Sequence, residues 1–211
     1  MRVTIWSLPG GARALRLSAA EAEGWSLGDA GAEEVLDAAM LTRPALSLAL
    51  DPAVPVSPSG GLLATAALDL AARERKIPAA LLLGAAQPAQ IEAASAEAPA
   101  APREAAALRA ALLDPATLIL SAEPGSLGPS GLRRLAAAAR VFNVEVALRP
   151  ASNHVFTAAM LLHLRATHPW LGRTPPDGTG LLAAPPGPGF GPPPDPAALD
   201  ALALGRAECG A

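Results

Sequence analysis

Short apolar runs recur along the chain, and several are apolar at nearly every position. Because strands of a parallel sheet are buried on both faces, runs of this kind are typical of parallel strands. We predict strands at six of them, 2–8, 12–18, 45–51, 78–84, 116–122 and 144–149.

Longer segments rich in Ala and Leu lie between these runs and have helical spacing. Their apolar faces are formed by Leu63, Ala67, Leu70 and Ala71 in 60–76 and by Leu132, Leu135, Ala139 and Phe142 in 130–142. Ser130 is placed to cap the second of these helices. Alternating strands and helices predict an α/β fold with a parallel sheet, arranged either as a doubly wound sheet or as a βα barrel.

The C-terminal part of the chain, from residue 173, is rich in proline and glycine. This composition alone is typical of a linker. Leu181, Leu182 and Phe190 interrupt it, however, and predict that the segment packs along a surface. Beyond it, Asp195 is placed to cap a short final helix that ends at Gly205.

Composition and charge exclude several classes of function. The net charge of −3 gives no basic surface for nucleic acid. The lone Cys209 excludes an internal disulfide and a cysteine-based zinc site. No signal peptide or membrane-spanning run is recognisable, so we predict a soluble, cytoplasmic protein.

Candidate catalytic residues are few. Among the predicted strand ends only Asp51 and Glu123 are acidic, and a pair of carboxylates can act as general acid and base. His154 follows the strand at 144–149, where a barrel presents functional residues. For His163 and His168 we predict surface or packing roles.

The segment Ser57–Gly61 offers a different chemistry. Its paired glycines precede a helix, and a helix N-terminus can bind an anion. The lysine of a phosphate-binding loop is missing, so an ordinary helix start remains the simpler interpretation.

The order of the motifs resembles the barrel portion of the enolase superfamily, in the branch of mandelate racemase and muconate-lactonizing enzyme, with o-succinylbenzoate synthase a close cousin. The segments that carry this resemblance occur in the family's order, at 14–30, 46–84, 114–148, 152–172 and 177–199. The resemblance implies an incomplete (β/α) barrel of parallel strands over 1–172. It leaves 173–211 as a Pro/Gly-rich C-terminal tail whose short helix packs on the barrel.

The chemistry implied by the family is abstraction of a proton next to a carboxylate, with Mg²⁺ held by three carboxylates. The positions of this chain that correspond to the family's metal ligands are Ser18, Leu50 (beside Asp51) and either Leu83 or Gly84. The positions that correspond to its catalytic bases are Arg2 to Thr4 and Glu123. None of the three metal positions is acidic, and Mg²⁺ needs oxygen ligands to replace its water. We therefore expect no bound metal or cofactor and no family catalysis.

The resemblance also leaves no room for the family's N-terminal capping domain or for the first barrel strand. A barrel that lacks a strand has an open edge, which a second copy of the chain or a protein partner would cover. We therefore predict a pseudoenzyme that acts as a binding or assembly scaffold. Two alternatives remain: an enzyme of altered lyase or racemase chemistry using Asp51, Glu123 and His154, and an anion- or nucleotide-binding α/β domain.

Overall fold

The computed structural model of the chain describes residues 1–29, 41–51, 58–85, 90–91, 99–102, 105–149, 155–167, 171–172 and 182–210. Its strands are β1 (Arg2–Ser7), β2 (Ala12–Ala19), β3 (Ala22–Asp29), β4 (Gln90–Ile91), β5 (Ile119–Ala122), β6 (Glu145–Leu148), β7 (Leu171–Gly172), β8 (Leu182–Ala183) and β9 (Gly205–Gly210). Its helices are α1 (Ala45–Leu50), α2 (Pro58–Glu74), α3 (Ala79–Leu82), α4 (Ala105–Leu113), α5 (Pro124–Val141), α6 (Val155–Thr167) and α7 (Pro196–Leu202).

The first part of the chain forms an antiparallel sheet of four strands in the order β3-β2-β1-β9. The strands predicted at 2–8 and 12–18 are confirmed, but their predicted parallel arrangement is wrong. A 3-10 turn at Pro9–Gly11 connects β1 to β2, and such a short link can join only antiparallel neighbours. A parallel crossover needs a dozen residues or more.

Strand β3 was not predicted. It follows β2 through a tight turn that brings Ala19 opposite Ala22. Its residues alternate, with Trp25 and Leu27 on one face and small residues on the other. That period of two is the signal that identifies a strand, although the glycines in it obscure the pattern.

Helix α2 packs across the antiparallel sheet, and the helix predicted at 60–76 is confirmed. All four residues of its predicted apolar face are fully buried. The approach is close at Gly24, where a Cβ atom would lie 2.1 Å from the backbone oxygen of Ala66. Ser26 donates a hydrogen bond from its hydroxyl to the carbonyl of Leu62, at 2.8 Å.

Two predicted strands are wrong. The runs at 45–51 and 78–84 contain helices α1 and α3, which begin directly after Pro44 and Pro78. Continuous apolar runs fit a buried helix as well as a buried strand. Here the residues are mainly Ala and Leu, which have high helix propensity, and a preceding proline favours a helix start.

A second sheet is parallel and has the order β5-β6-β7. The strands predicted at 116–122 and 144–149 are confirmed, with shorter bounds. Residues 99–101 lie parallel beside β5, where the amide of Ser121 donates to the carbonyl of Pro99 at 2.7 Å. The fold is therefore mixed α/β, and among the described strands a complete barrel is not formed.

Helix α5 differs from its prediction at both ends. It begins at Pro124, before the predicted cap at Ser130, and its backbone is broken at Gly128, which has φ of 65°. Leu132, Leu135 and Ala139 are buried as predicted. Phe142, in contrast, lies beyond the helix and is 42% exposed.

The C-terminal segment returns to the antiparallel sheet. Phe190 is fully buried, and the amide of Ala79 donates to the carbonyl of Gly189 at 2.8 Å. Helix α7 begins at the predicted cap, where Asp195 accepts from the amide of Ala197. Strand β9 then pairs with β1, and none of the helices in the described ranges is long and apolar enough to cross a membrane.

Candidate functional site

Glu123 lies at the carboxyl end of β5, which is where parallel α/β sheets present functional side chains. Its Oε1 atom accepts a hydrogen bond of 2.7 Å from the amide of Gly125, in the first turn of α5. A carboxylate in this place satisfies an amide that the helix itself leaves unpaired. Glu123 therefore directly follows β5 and caps the first turn of α5.

The end of β3 approaches this carboxylate closely. A Cβ atom on Gly28 would lie 3.0 Å from Oε2 of Glu123, and one on Gly125 would lie 2.4 Å from the carbonyl oxygen of Leu27. Two residues without side chains thus bring the antiparallel sheet against the start of α5. The sequence contains both glycines, but nothing in their spacing shows that they meet.

Asp51 follows α1 and forms an ion pair of 2.5 Å with Arg43. It borders a cavity of about 10 Å³ between α2 and α5. The other residues lining that cavity are Gly60, Gly61, Ala64, Leu127, Ser130, Gly131 and Arg134. A cavity of this size has room for about one water molecule, which is too little for a phosphate.

The start of α2 is also covered by α5. If Gly128 carried a Cβ atom, it would lie 3.0 Å from the carbonyl oxygen of Gly61. Gly60 and Gly61 are both buried. Gly60 and Gly61 of the predicted anion site are therefore packed against protein, while Ser57 lies outside the described residues.

The predicted histidines have different outcomes. His154 and His168 lie outside the described residues, so the convergence of Asp51, Glu123 and His154 stays a prediction. His163 is 1% exposed, and its Nδ1 atom accepts from the amide of Ala80 at 3.3 Å. Burial lowers the pKa of His163 to about 4, against a smaller opposing effect of the Pro185 backbone. Its predicted packing role is confirmed.

A buried carboxylate that sequence reasoning missed lies in α2. Asp69 is fully buried and accepts three hydrogen bonds, from the amide of Trp25 at 2.9 Å, the amide of Phe190 at 2.6 Å and Nε of Arg73 at 2.8 Å. Arg73 also donates to the carbonyl of Gly191, at 2.6 Å. We call these five residues the Asp69 clasp.

Burial raises the pKa of Asp69, while Arg73 and the two backbone amides act in the opposite direction. The clasp joins β3, α2 and the C-terminal segment. Gly189 makes this possible, because it has φ of +69° and a Cβ atom there would lie 2.1 Å from Oδ1 of Asp69. The sequence signal was the spacing of Asp69 and Arg73, which places them one helical turn apart.

The structure corrects the positions that the family resemblance implied for the metal ligands and the catalytic bases. Ser18 lies in an antiparallel strand, Leu50 ends α1, and Leu83 and Gly84 follow α3. The positions at Arg2 to Thr4 are in β1, so only Glu123 follows a parallel strand. The assignment of the other positions is wrong because it assumed parallel strands at places where the structure has antiparallel strands and short helices.

The described residues do not fit a magnesium ion. Within the described ranges, no three His, Cys, Asp or Glu side chains gather closely enough to hold a metal. Mg²⁺ binds through carboxylates and other oxygen ligands arranged octahedrally. Glu123 and Asp51 are instead held by a backbone amide and an arginine.

Neither a protein-family model nor a curated protein matches the chain. Solved structures do match. An enolase of the mandelate racemase subgroup from Agrobacterium tumefaciens aligns with a TM-score of 0.67 and 12% identity, covering 100% of this chain and 98% of that one. The chain is therefore similar in fold to structures of the enolase superfamily. This confirms the resemblance that the motifs predicted.

Two further structures give the same result. L-Talarate dehydratase from Polaromonas, complexed with Mg and L-glucarate, has a TM-score of 0.58 and 13% identity, covering 100% of this chain and 98% of that one. An enolase from Pseudomonas fluorescens with bound magnesium, potassium and tartrate has a TM-score of 0.58 and 12% identity, covering 96% and 90%. At these identities the likeness concerns the fold alone.

Proposed function

We propose that this chain is a binding or assembly scaffold built on a divergent enolase-type fold, without metal-dependent proton abstraction. The observation that carries the proposal is the use of its carboxylates. Asp69 is buried in a clasp, Asp51 is paired with Arg43, and Glu123 caps a helix. Each of these carboxylates holds elements of the fold together.

Charge supports the same conclusion. A catalytic magnesium site gathers several carboxylates around one ion, which neutralises their mutual repulsion. Of the three carboxylates named above, Asp51 and Asp69 are instead each paired with an arginine, and Glu123 accepts a hydrogen bond from a backbone amide. These pairings favour a structural use of the three carboxylates.

The test is exchange of carbon-bound hydrogen in D₂O. The full chain is incubated with millimolar Mg²⁺ and with tartrate or L-glucarate, the acids bound in two of the structural neighbours. We expect no deuterium at the carbon next to the carboxylate above the rate without protein. Mg²⁺-dependent exchange would contradict the proposal.

A second candidate function has one observation in its favour. Glu123 lies at the carboxyl end of β5 and within reach of the end of β3, as a general acid or base of an altered enzyme would. In that case Glu123→Gln abolishes exchange, while Asp114→Asn, in an exposed turn, leaves it unchanged. The scaffold proposal expects no exchange in any of the three proteins.

A further inference from the structure

Strand β9 is the outermost strand of the antiparallel sheet. Among the described residues it pairs with β1 alone. All six of its residues, Gly205–Gly210, are exposed. An edge strand exposed to this degree offers its free backbone groups to another strand.

The pairing of β1 identifies which backbone groups face that free edge. The amide of Leu8 donates to the carbonyl of Ala12, at 2.8 Å, so position 8 faces β2. The carbonyl of Ser7 accepts from the amide of Leu204, at 2.8 Å, so position 7 faces β9. Because successive residues of a strand face opposite neighbours, every second residue of β1 counted back from Ser7 also faces β9.

The pairing of β1 with β9 shows which residues of β9 face β1 and which face the free edge. The residues of β1 that face β9 pair with it as Ser7 with Gly205, Ile5 with Ala207 and Val3 with Cys209. These three residues of β9 direct their amides and carbonyls toward β1. The amides and carbonyls of Arg206 and Glu208 therefore face the open edge.

The sequence of this edge is complementary to itself. When two copies of β9 pair antiparallel about Ala207, Arg206 of each copy lies opposite Glu208 of the other. Both residues present outward amides and carbonyls, so this register forms two hydrogen-bonded pairs across the new interface. It also sets opposite charges across from one another twice.

Charged residues on an edge strand usually prevent pairing. Repulsion arises when like charges lie opposite one another across the two strands. In the antiparallel register, the order Arg-Ala-Glu instead places each arginine opposite a glutamate. Within one chain Arg206 already contacts Glu208 and lies 3.2 Å from Asp200. A second copy would extend this ion pair into a network.

Two exposed apolar side chains precede β9 in the chain. Leu202 and Leu204 precede β9 and are 62% and 77% exposed. Strand pairing alone buries less than the roughly 1,200–2,000 Å² of a standard stable interface. The pairing is accordingly a weak one that depends on protein concentration.

We propose that two copies of this chain associate through β9, in an antiparallel register centred on Ala207, to form one continuous eight-stranded sheet. This inference goes beyond the proposed function, because an edge pairing of this kind is compatible with a catalytic or a non-catalytic chain. The exchange experiment and the association experiment can therefore fail independently.

Charge exchange tests the register. Arg206→Glu places glutamates at both outward positions, and Glu208→Arg places arginines at both. By sedimentation velocity across a concentration series, we expect each variant alone to dimerise about tenfold more weakly than the natural chain. An equal mixture of the two variants restores association, since each strand then meets its opposite. Arg206→Glu/Glu208→Arg restores it within one chain.

Cross-linking tests the position of the two-fold axis. In the proposed register the two copies of residue 207 face each other at about 4.5 Å between Cα atoms, within disulfide range. Ala207→Cys/Cys209→Ser should therefore form a disulfide-linked dimer under mild oxidation. The natural Cys209 is exposed but lies opposite Gly205, about 13 Å along the strand from its counterpart, and should not cross-link.

The opposite results would overturn the inference. A natural chain that stays monomeric at all concentrations contradicts association. A dimer that forms equally well in both single charge variants uses another surface, and a dimer cross-linked through Cys209 but not through position 207 has another register.

Discussion

The antiparallel and parallel parts of the molecule are built differently. The antiparallel sheet has strands of up to 8 residues and a tight link between β1 and β2, and its stacked Trp6 and Trp25 rings are 5.5 Å apart. The parallel strands have 4 residues in β5 and 2 in β7. Long strands make many cross-strand side-chain pairs, which predict high stability in the first part. The second part contains Glu123, which lies at the carboxyl end of the parallel strand β5.

The antiparallel sheet, α2 and the C-terminal segment are fixed to one another by buried polar contacts that tolerate little change. Changes to these contacts should therefore be costly in stability.

The largest effect is expected at Asp69. In Asp69→Asn, Arg73 loses its buried anion, and the new NH₂ group faces a backbone amide that needs an acceptor. Removing one partner of a buried ion pair costs about 3–5 kcal/mol. Urea unfolding measures this as a lower free energy of unfolding. Glu74→Gln, an exposed position on the same helix, is the control and should change stability by less than about 0.5 kcal/mol.

The next effect is a dependence on pH that His163 produces. Its pKa is about 4 in the folded chain and 6.5 ordinarily, so the unfolded chain binds more protons between these values. Stability should rise with pH across this window, by at most roughly 3 kcal/mol from the pKa difference. The raised pKa of Asp69 acts in the opposite direction above about pH 4, because the folded chain there retains a proton that the unfolded chain releases.

The control for His163 is His163→Gln, which cannot titrate. The difference in unfolding free energy between the two proteins, measured from pH 4 to 7, isolates the histidine and should grow as the pH rises. A constant difference across this range would contradict a buried neutral histidine.

A smaller effect is expected at the contact between the sheet and α2. Gly24→Ala places a Cβ atom 2.4 Å from the amide nitrogen of Leu70, and backbone cannot move as a side chain can. Overpacking of this kind costs about 1–3 kcal/mol. Gly205→Ala is the matched control, because its Cβ atom would meet no atom within 4 Å. Equal melting temperatures for the two variants would contradict the close packing of α2 on β3.

The outcome of sequence prediction differs between these regions for physical reasons. Helix α2 and strands β1, β2, β5 and β6 follow from hydrophobic periodicity, which depends on neighbouring residues. The runs that became α1 and α3 are apolar throughout, so periodicity could not separate strand from helix. The antiparallel pairing of β1 and β2 was predictable from their short link, and the parallel interpretation neglected it.

The candidate site was only partly predictable. Glu123 was identified because it follows a strand that periodicity locates correctly. The approach of Gly28 and the burial of Asp69 depend on contacts between residues far apart in the chain. Asp69 and Phe190, for example, are 121 positions apart. No local pattern encodes such contacts. The family positions were carried over onto runs assumed to be parallel strands, and the supposed metal ligands lie instead in an antiparallel strand, at the end of α1 and after α3.

The most direct test of the scaffold proposal is thermal unfolding of the full chain with and without millimolar Mg²⁺. A ligand that binds the folded state stabilises it in proportion to the logarithm of its concentration over its dissociation constant. The account predicts a melting temperature that Mg²⁺ leaves unchanged, as Na⁺ at equal ionic strength does. A rise of several degrees with Mg²⁺ that Glu123→Gln abolishes would show a metal site at the end of β5 and contradict it.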